Sequence, residues 1–522
     1  MKRVEAPCPA CGAPVEFRVS SSLVTVCGHC SSVVARGDRK LEDLGKTAAL
    51  VETASPLAIG CCGKYRGKSF ELVGHIQYRH ASGAVWDEWY ASFASGRWGW
   101  LAEAQGRFWM TFRRKLKSGQ GLPEWGRLAA GQEFRFGDEA ALTVAELGEA
   151  TVIAAEGELP LRPQFNQPHR YVDLSWADQR VGTMDYGESP PALYLGRVTT
   201  LAELGIALVV VGDDERHTRQ VAAIQVACQQ CGGSLDLHAP DRAERVVCPF
   251  CQSMLDASQG QLRYLQTLLA GRVQPLIPLG RTGTFRGREY TVIGFLQRAV
   301  RIEGTDYFWT EYLLYQPQDG FRWLVESDRH WSFVEPVAPG AVRLGPREAT
   351  YQGRSFRLFQ RSLARVTYVL GEFYWKVRLD ETVYVRDYIA PPEMLSAEVS
   401  QSTTTDAQGQ TQTAEEVNIS RGVYAKHEEV EQAFGVQGLP RSWGPAANQP
   451  NPVDKRVYVL WPIFAGVLLV LYSIISALRS GVDGGWFFLA LVALSAVPVG
   501  ALLYGHSFEK SRWEQSYIGG ES

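Results

Sequence analysis

Gly60-Cys-Cys-Gly-Lys-Tyr-Arg-Gly-Lys-Ser-Phe-Glu-Leu-Val-Gly74 is answered later in the chain by Gly280-Arg-Thr-Gly-Thr-Phe-Arg-Gly-Arg-Glu-Tyr-Thr-Val-Ile-Gly294. Glycines and aromatics coincide at a single offset, which marks an internal duplication. In both stretches Arg-Gly reads as a hairpin turn, followed by short alternating runs such as Phe70-Glu-Leu-Val73 and Tyr290-Thr-Val-Ile293. The repeat continues. Trp86-Asp-Glu-Trp-Tyr90 matches Trp309-Thr-Glu-Tyr-Leu313, and Trp98-Gly-Trp-Leu-Ala-Glu103 matches Phe321-Arg-Trp-Leu-Val-Glu326. Gly157-Glu158-Leu159 matches Gly371-Glu372-Phe373, and Asp173 matches Asp387. Short runs rich in Val, Tyr, Trp and Phe between turn signals predict a mainly β fold, a β-sandwich or partly open barrel in each copy. Before the C-terminal region, short helices are expected only near Ser258–Leu269 and Glu428–Phe434.

Two cysteine pairs precede each copy: Cys8 and Cys11 with Cys27 and Cys30, then Cys228 and Cys231 with Cys248 and Cys251. The spacing is that of a zinc ribbon, in which a Cys-x-x-Cys turn presents two thiolates and a second turn closes a tetrahedron. Disulfides or redox motifs are the weaker reading, because the same four-cysteine pattern occurs twice. Two structural Zn2+ ions are expected, with no coordination position left for substrate. Thiolates committed to metal call for a reducing compartment. His29 and His238 read as solvated turn residues, and the adjacent Cys61 and Cys62 as strand filler, since the second copy has Arg281 and Thr282 there.

Val457–Leu478 and Trp486–Gly505 carry no charge and are long enough to cross a hydrocarbon core as helices. Lys455 and Arg456 precede them and Lys510 and Arg512 follow, against Arg479 alone in the hairpin loop, so the positive-inside rule puts both outer flanks in the cytoplasm. The N-terminus has no apolar core and does not read as a signal peptide. The expected order is ribbon (1–45), β domain (50–220), ribbon (221–260), β domain (270–437), linker (438–456), transmembrane helical hairpin (457–505) and cytoplasmic tail (506–522). Within the second β domain, the polar stretch 398–420 reads as a flexible insertion. The linker, rich in Pro, Asn and Gly, reads as a spacer from the bilayer.

The tandem GxxGxxRGxx(F/Y)xxxG segment, the W-x-E motif, the W-L-x-E strand and the G-E-(L/F) step resemble the bacterial domain of unknown function DUF4178. The resemblance covers both repeats and most of residues 52–435, and is strongest over 280–336 and 366–392. A cysteine ribbon and a membrane segment suit that family. Members of that family tend to be encoded near polyamine-pathway enzymes and membrane-stress proteins, so the resemblance implies a cell-envelope or stress setting and no defined activity. With the apolar spans and their basic flanks, the expected location is the bacterial inner membrane. The first copy departs from the pattern at Pro160, where an aromatic is expected.

No catalytic constellation is evident: the histidines form no HExxH, and the glycines are too spread for a phosphate loop. Glu88 and Glu311 sit in equivalent positions beside aromatics, as do Glu103 and Glu326, and their bland reading is strand-edge ion pairing. A formal charge of -3 argues against a polyanion binder. Beside the ribbons, Arg36, Arg39, Lys40, Arg242 and Arg245 are diluted by Asp38, Glu42, Asp43, Asp241 and Glu244. The expected function is a non-enzymatic, membrane-anchored scaffold or sensor that meets the lipid bilayer and a protein partner. The rival is an enzyme subunit or amine-binding component of a polyamine-linked pathway, with Glu88, Glu311, Glu326 and Glu372 holding the amine. A concave pocket lined by these carboxylates would favour the rival, and scattered carboxylates the scaffold. Nucleic-acid binding through the ribbons is the last alternative.

Overall fold

A computed structural model of the chain describes residues 4–36, 41–51, 55–104, 107–116, 122–135, 141–188, 190–206, 224–239, 243–257, 262–267, 273–317, 320–405, 411–454, 456–479 and 484–517. The first copy contributes β1 (Lys68–His80), β2 (Val85–Phe93), β3 (Trp98–Ala104), β4 (Arg107–Arg114), β5 (Leu142–Leu159), β6 (Pro168–Ser175), β7 (Arg180–Asp185) and β8 (Ala192–Thr199). The second contributes β9 (Arg288–Ile302), β10 (Thr305–Gln316), β11 (Gly320–Ser327), β12 (His330–Val337), β13 (Arg354–Phe373), β14 (Thr382–Ala390), β15 (Glu393–Thr405) and β16 (Thr411–Ala425).

Each set pairs as two antiparallel meanders. In the first, β4 pairs with β8 and β5 returns to β1. In the second, β12 pairs with β16 and β13 returns to β9. Among the described residues each copy is therefore a closed eight-stranded barrel, which resolves the choice between sandwich and open barrel. Closure removes the free sheet edges that an open arrangement would expose.

The shared Arg-Gly turns are two-residue hairpins. Arg66 and Gly67 have φ of 49° and 76°, and Arg286 and Gly287 have 52° and 79°. Positive φ at both central residues is the type I′ geometry whose twist matches flanking strands. The last glycine of each motif serves closure. A Cβ on Gly74 would collide with the Glu158 carbonyl oxygen across the β1–β5 seam, and one on Gly294 with that of Glu372 across β9–β13.

Each ribbon caps one end of its barrel. Val24 and Thr25 pair with Leu159 and Glu158 at the end of β5, and Arg245–Val247 pair with Phe373–Gly371 at the end of β13. Val19, Val24, Val33 and Ala35 of the first ribbon pack against Ile76, Tyr90 and Trp100 inside the barrel mouth. Much of the remaining apolar core lies outside the walls, under covering segments. Leu204 and Ile206 cover Phe70, Trp89 and Met110 of the first barrel, and α1 (His427–Phe434) lays Val430 and Phe434 on Phe285 and Phe333 of the second.

The barrels are joined by backbone. Glu146, Leu147 and Gly148 of β5 pair with Glu416, Glu415 and Ala414 of β16. This corrects the expectation for 398–420, which forms the β15–β16 hairpin, with 406–410 outside the described residues. The hairpin lines the cavity with Glu398, Ser400, Ser402 and Glu416, while Val399, Val417 and Ile419 join an apolar cluster with Val342 and Phe356. Near Ser258–Leu269, Arg263–Thr267 is a strand against Ser253–Asp256, while 258–261 and 268–269 lie outside the described residues. α1 matches the helix expected at Glu428–Phe434.

At the C-terminus α2 (Val457–Arg479) and α3 (Gly484–Glu514) are long and apolar enough to cross a membrane. Pro498 leaves the carbonyl of Leu494 without its helical donor, and the Trp461 indole supplies one at 2.7 Å. The linker is a packed connector and not a spacer. Asn448 and Ser332 are hydrogen-bonded, Gly444 accepts from the His330 ring, and Asn451 donates to Gly505 and Glu509 of α3. The tail also docks: Trp513 lies 5.6 Å from the Phe359 ring, under the Arg357 guanidinium, and Arg361 N–H donates to the Tyr517 carbonyl.

Candidate functional site

The four cysteine turns are superimposable in their bonding. Cys8, Cys27, Cys228 and Cys248 each donate N–H to the carbonyl five residues on and accept from the N–H four residues on. The donors Gly12, Ser31, Gly232 and Gln252 all have positive φ, 77°, 58°, 72° and 59°. In each cluster the Sγ atoms lie within 4.8 Å of one another. Cys8 and Cys30 are 3.8 Å apart, Cys11 and Cys27 3.7 Å, and the two corresponding pairs of the second ribbon 3.8 Å. A tetrahedron with metal–sulfur bonds of about 2.3 Å has an edge of about 3.8 Å, whereas a disulfide needs about 2.05 Å. The donor set fits one metal ion per ribbon.

Each ribbon is fixed by one glutamate of the repeat. Glu158 accepts the N–H groups of Arg18 and Val19 at 2.8 and 3.0 Å. Its equivalent Glu372 accepts those of His238 and Ala239 at 2.7 and 2.8 Å. His238, read as solvated, sits 3.4 Å from Glu372, and this hydrogen bond raises the pKa of its ring. The G-E step is thus a latch between barrel and cysteine ribbon. Its pattern was visible in the repeat, but its long-range partner was not.

The lumens of both barrels line one connected cavity of about 2080 Å³ at the junction. Glu88 and Glu311 face it from β2 and β10, each accepting from the indole two residues earlier, Trp86 at 3.2 Å and Trp309 at 2.7 Å. The other two proposed carboxylates lie elsewhere. Glu326 ties Thr310 and the N–H of Arg329 at a β-turn, and Glu372 is the ribbon latch. The four are not gathered into one site. Glu103, the equivalent of Glu326, is buried and accepts from Ser55.

Sequence reasoning missed the acids that do join Glu88 and Glu311. Asp173, Asp185, Glu146, Asp387, Glu398 and Glu416 all line the cavity. Asp173 and Asp387 stood out only as repeat matches. Burial pushes Glu88 up to about 7, with Asp173 and Asp185 adding to the shift and the Trp86 bond opposing it. Burial likewise pushes Asp173, Asp387 and Glu416 to about 7. Burial also opposes ionisation of Glu146, but His80 at 2.8 Å and Tyr171 outweigh it and hold that carboxyl below its usual range. In the second barrel Arg298 donates from one guanidinium nitrogen to both Glu398 oxygens at 3.1 Å, and its Nε lies 3.4 Å from Glu311. Burial raises Glu311 and Arg298 counters it.

Of the basic residues near the ribbons, Arg245 is buried and paired with Asp256 at 2.8 Å, and Arg36 lies over the Phe17 ring. Arg39, Lys40 and Arg242 lie outside the described residues. Cys61 packs beside the outer core of the first barrel and Cys62 is exposed. A comparison with known families matches a domain of unknown function, DUF4178, twice, over residues 58–200 and 278–424. No curated protein and no solved structure matches the chain.

Proposed function

Because the chain belongs to the DUF4178 family through both of its barrels, we propose that it is a membrane-anchored zinc-ribbon scaffold that senses a small ligand and docks a protein partner. The two ribbons hold Zn2+ as structural ions. The body lies on the cytoplasmic side of a bacterial inner membrane, in an envelope-stress or polyamine-linked setting. The observation that carries this reading is the route from cavity to hairpin. Trp443, Asn448 and Gln515 line the cavity, and the segments that hold them run directly into α2 and out of α3. Among the described residues the connection between cavity and hairpin is packed, so a change in the cavity meets the membrane anchor. Cytoplasmic orientation is supported by Arg456 and Lys510 at the outer flanks.

The amine-binding reading is favoured by the carboxylates gathered in the cavity, and it is compatible with a sensor. The experiment is fractionation of full-length protein with elemental analysis, followed by protease treatment of right-side-out and inverted vesicles. The expected results are two zinc ions per chain, release only by detergent, and cleavage of the body in inverted vesicles alone. A metal-free or freely soluble product overturns the proposal.

A further inference from the structure

The two lumens carry the same carboxylates and differ in one cation. Ile76 pairs with Glu88 and Leu296 with Glu311, so these acids hold one register position in both barrels. Glu146 pairs with Asp173 and Gln360 with Asp387, which fixes a second shared acid. Tyr171 pairs with Asp185 and Val385 with Glu398, which fixes a third. The hydroxyl next to the second acid is also shared, Thr183 to Asp173 at 2.7 Å and Ser396 to Asp387. On the first strand, opposite the indole of the W-x-E motif, the second barrel has Arg298 against Trp309 and the first has Tyr78 against Trp86.

The Arg298 guanidinium joins Glu311 to Glu398, so the second barrel holds an organic cation of its own. In the first barrel the described residues offer none at that place. Glu88 accepts from Trp86, Asp173 from Thr183, and Asp185 from the N–H of Gly187. Nearby cations lie elsewhere: His80 pairs with Glu146, Arg113 bonds Glu188 while its charge also reaches Asp185, and Lys376 donates to the Gly83 carbonyl. Arg107, which lines the cavity, lies over the Trp109 ring on the side of Glu416. His169 faces Asp185, and burial lowers its pKa towards the neutral form. Around the gap stand aromatic faces. Tyr78 stacks on Trp86 with centroids 5.1 Å apart and planes at 14°, and Tyr171 lies 5.9 Å from the same indole. Carboxylates beside stacked rings are what an alkylammonium or guanidinium group needs, charge-assisted hydrogen bonds and a π face together.

We propose that the first barrel binds a small organic cation, bearing a primary ammonium or guanidinium group, between Glu88 and Asp185 against the Tyr78–Trp86 face, in the place that Arg298 fills in the second barrel. The proposal names the ligand class of the sensor described above. It does not depend on membrane orientation or on the protein partner.

The test is calorimetric titration of agmatine and of putrescine into detergent-solubilised full-length protein. The expected result is one site per chain. Tyr78→Arg supplies the built-in cation of the other barrel and should weaken binding about tenfold or more, as should Glu88→Gln. Arg298→Tyr empties the second barrel and should raise the stoichiometry to two. Zinc content and melting temperature verify folding; should Arg298→Tyr unfold, Tyr78→Arg and Glu88→Gln decide the matter. Absence of uptake of either amine by the wild type, or wild-type binding by Tyr78→Arg, overturns the inference. A zinc-loaded, membrane-bound chain that takes up no amine overturns this inference alone, whereas a soluble, metal-free chain overturns the anchored-scaffold reading.

Discussion

The two barrels share walls, caps and turns, yet one bridges two of its inner acids with an arginine where the other has a tyrosine. In the second barrel Arg298 bridges Glu311 and Glu398. In the first, Tyr78 stands at that point and Glu88 has only an indole donor among the described residues. Duplication has kept the acids while changing the cation, so one copy is locked by its own chain and the other is left to something outside it.

The strongest test of equivalence lies in the ribbons. Replacing Cys228 and Cys231 by Ser should remove one zinc per chain and cost the second unit on the order of 10 kcal/mol of metal-coupled folding energy. Replacing Cys8 and Cys11 should do the same to the first, and elemental analysis with thermal melting reads both. Next comes the contrast between lumens. Arg298→Met strands two enclosed carboxylates and should cost about 3–5 kcal/mol in chemical denaturation, whereas Tyr78→Phe should cost less than about 1 kcal/mol. The latches should then match: Glu158→Gln and Glu372→Gln each lose charge-assisted acceptance of two backbone N–H groups, worth about 2–3 kcal/mol by the same denaturation.

Glu88 and Glu311 should also part in their response to pH, whereas Asp173 and Asp387 are both pushed to about 7. Glu88 and Asp173 ionise near 7 in the folded chain, against 4.5 and 3.8 ordinarily. Between those limits the folded chain holds protons that the unfolded chain has lost, so stability falls as pH rises towards 7 and stays lower above it. Melting at pH 5.5 and pH 8 should show this decline, and Glu88→Gln should flatten it more than Glu311→Gln, because Arg298 already favours the Glu311 anion. An equal flattening would break the contrast. The smallest effect belongs to the turns, where Gly67→Ala and Gly287→Ala meet open space and should each cost only about 1 kcal/mol of backbone strain. Unequal melting shifts would show that the two hairpins do different jobs.

What could be read from the residues was whatever is local or repeated. The cysteine turns, the Arg-Gly hairpins and the charge-free spans are each written within a few neighbouring positions. Barrel closure is not, since Gly74 meets Gly157 and Gly294 meets Gly371 only after long stretches of chain have folded back. The latch role of Glu158 and Glu372 was hidden for the same reason: its partners are backbone N–H groups of a ribbon far away in sequence. The hairpin over 398–420 was hidden because Val399, Val417 and Ile419, which pack in an apolar cluster, are scattered among polar residues that line the cavity or meet solvent. Asp185 and Glu398 belong to no motif, and only strand register shows them to be equivalent.

The bonding of Glu146–Gly148 to Ala414–Glu416 has a practical corollary. A fragment containing a single repeat would bare the rim where its sibling should sit, and such a rim recruits whatever strand it meets. The halves of this protein are not beads to be cut apart and tested separately; either one expressed alone should clump.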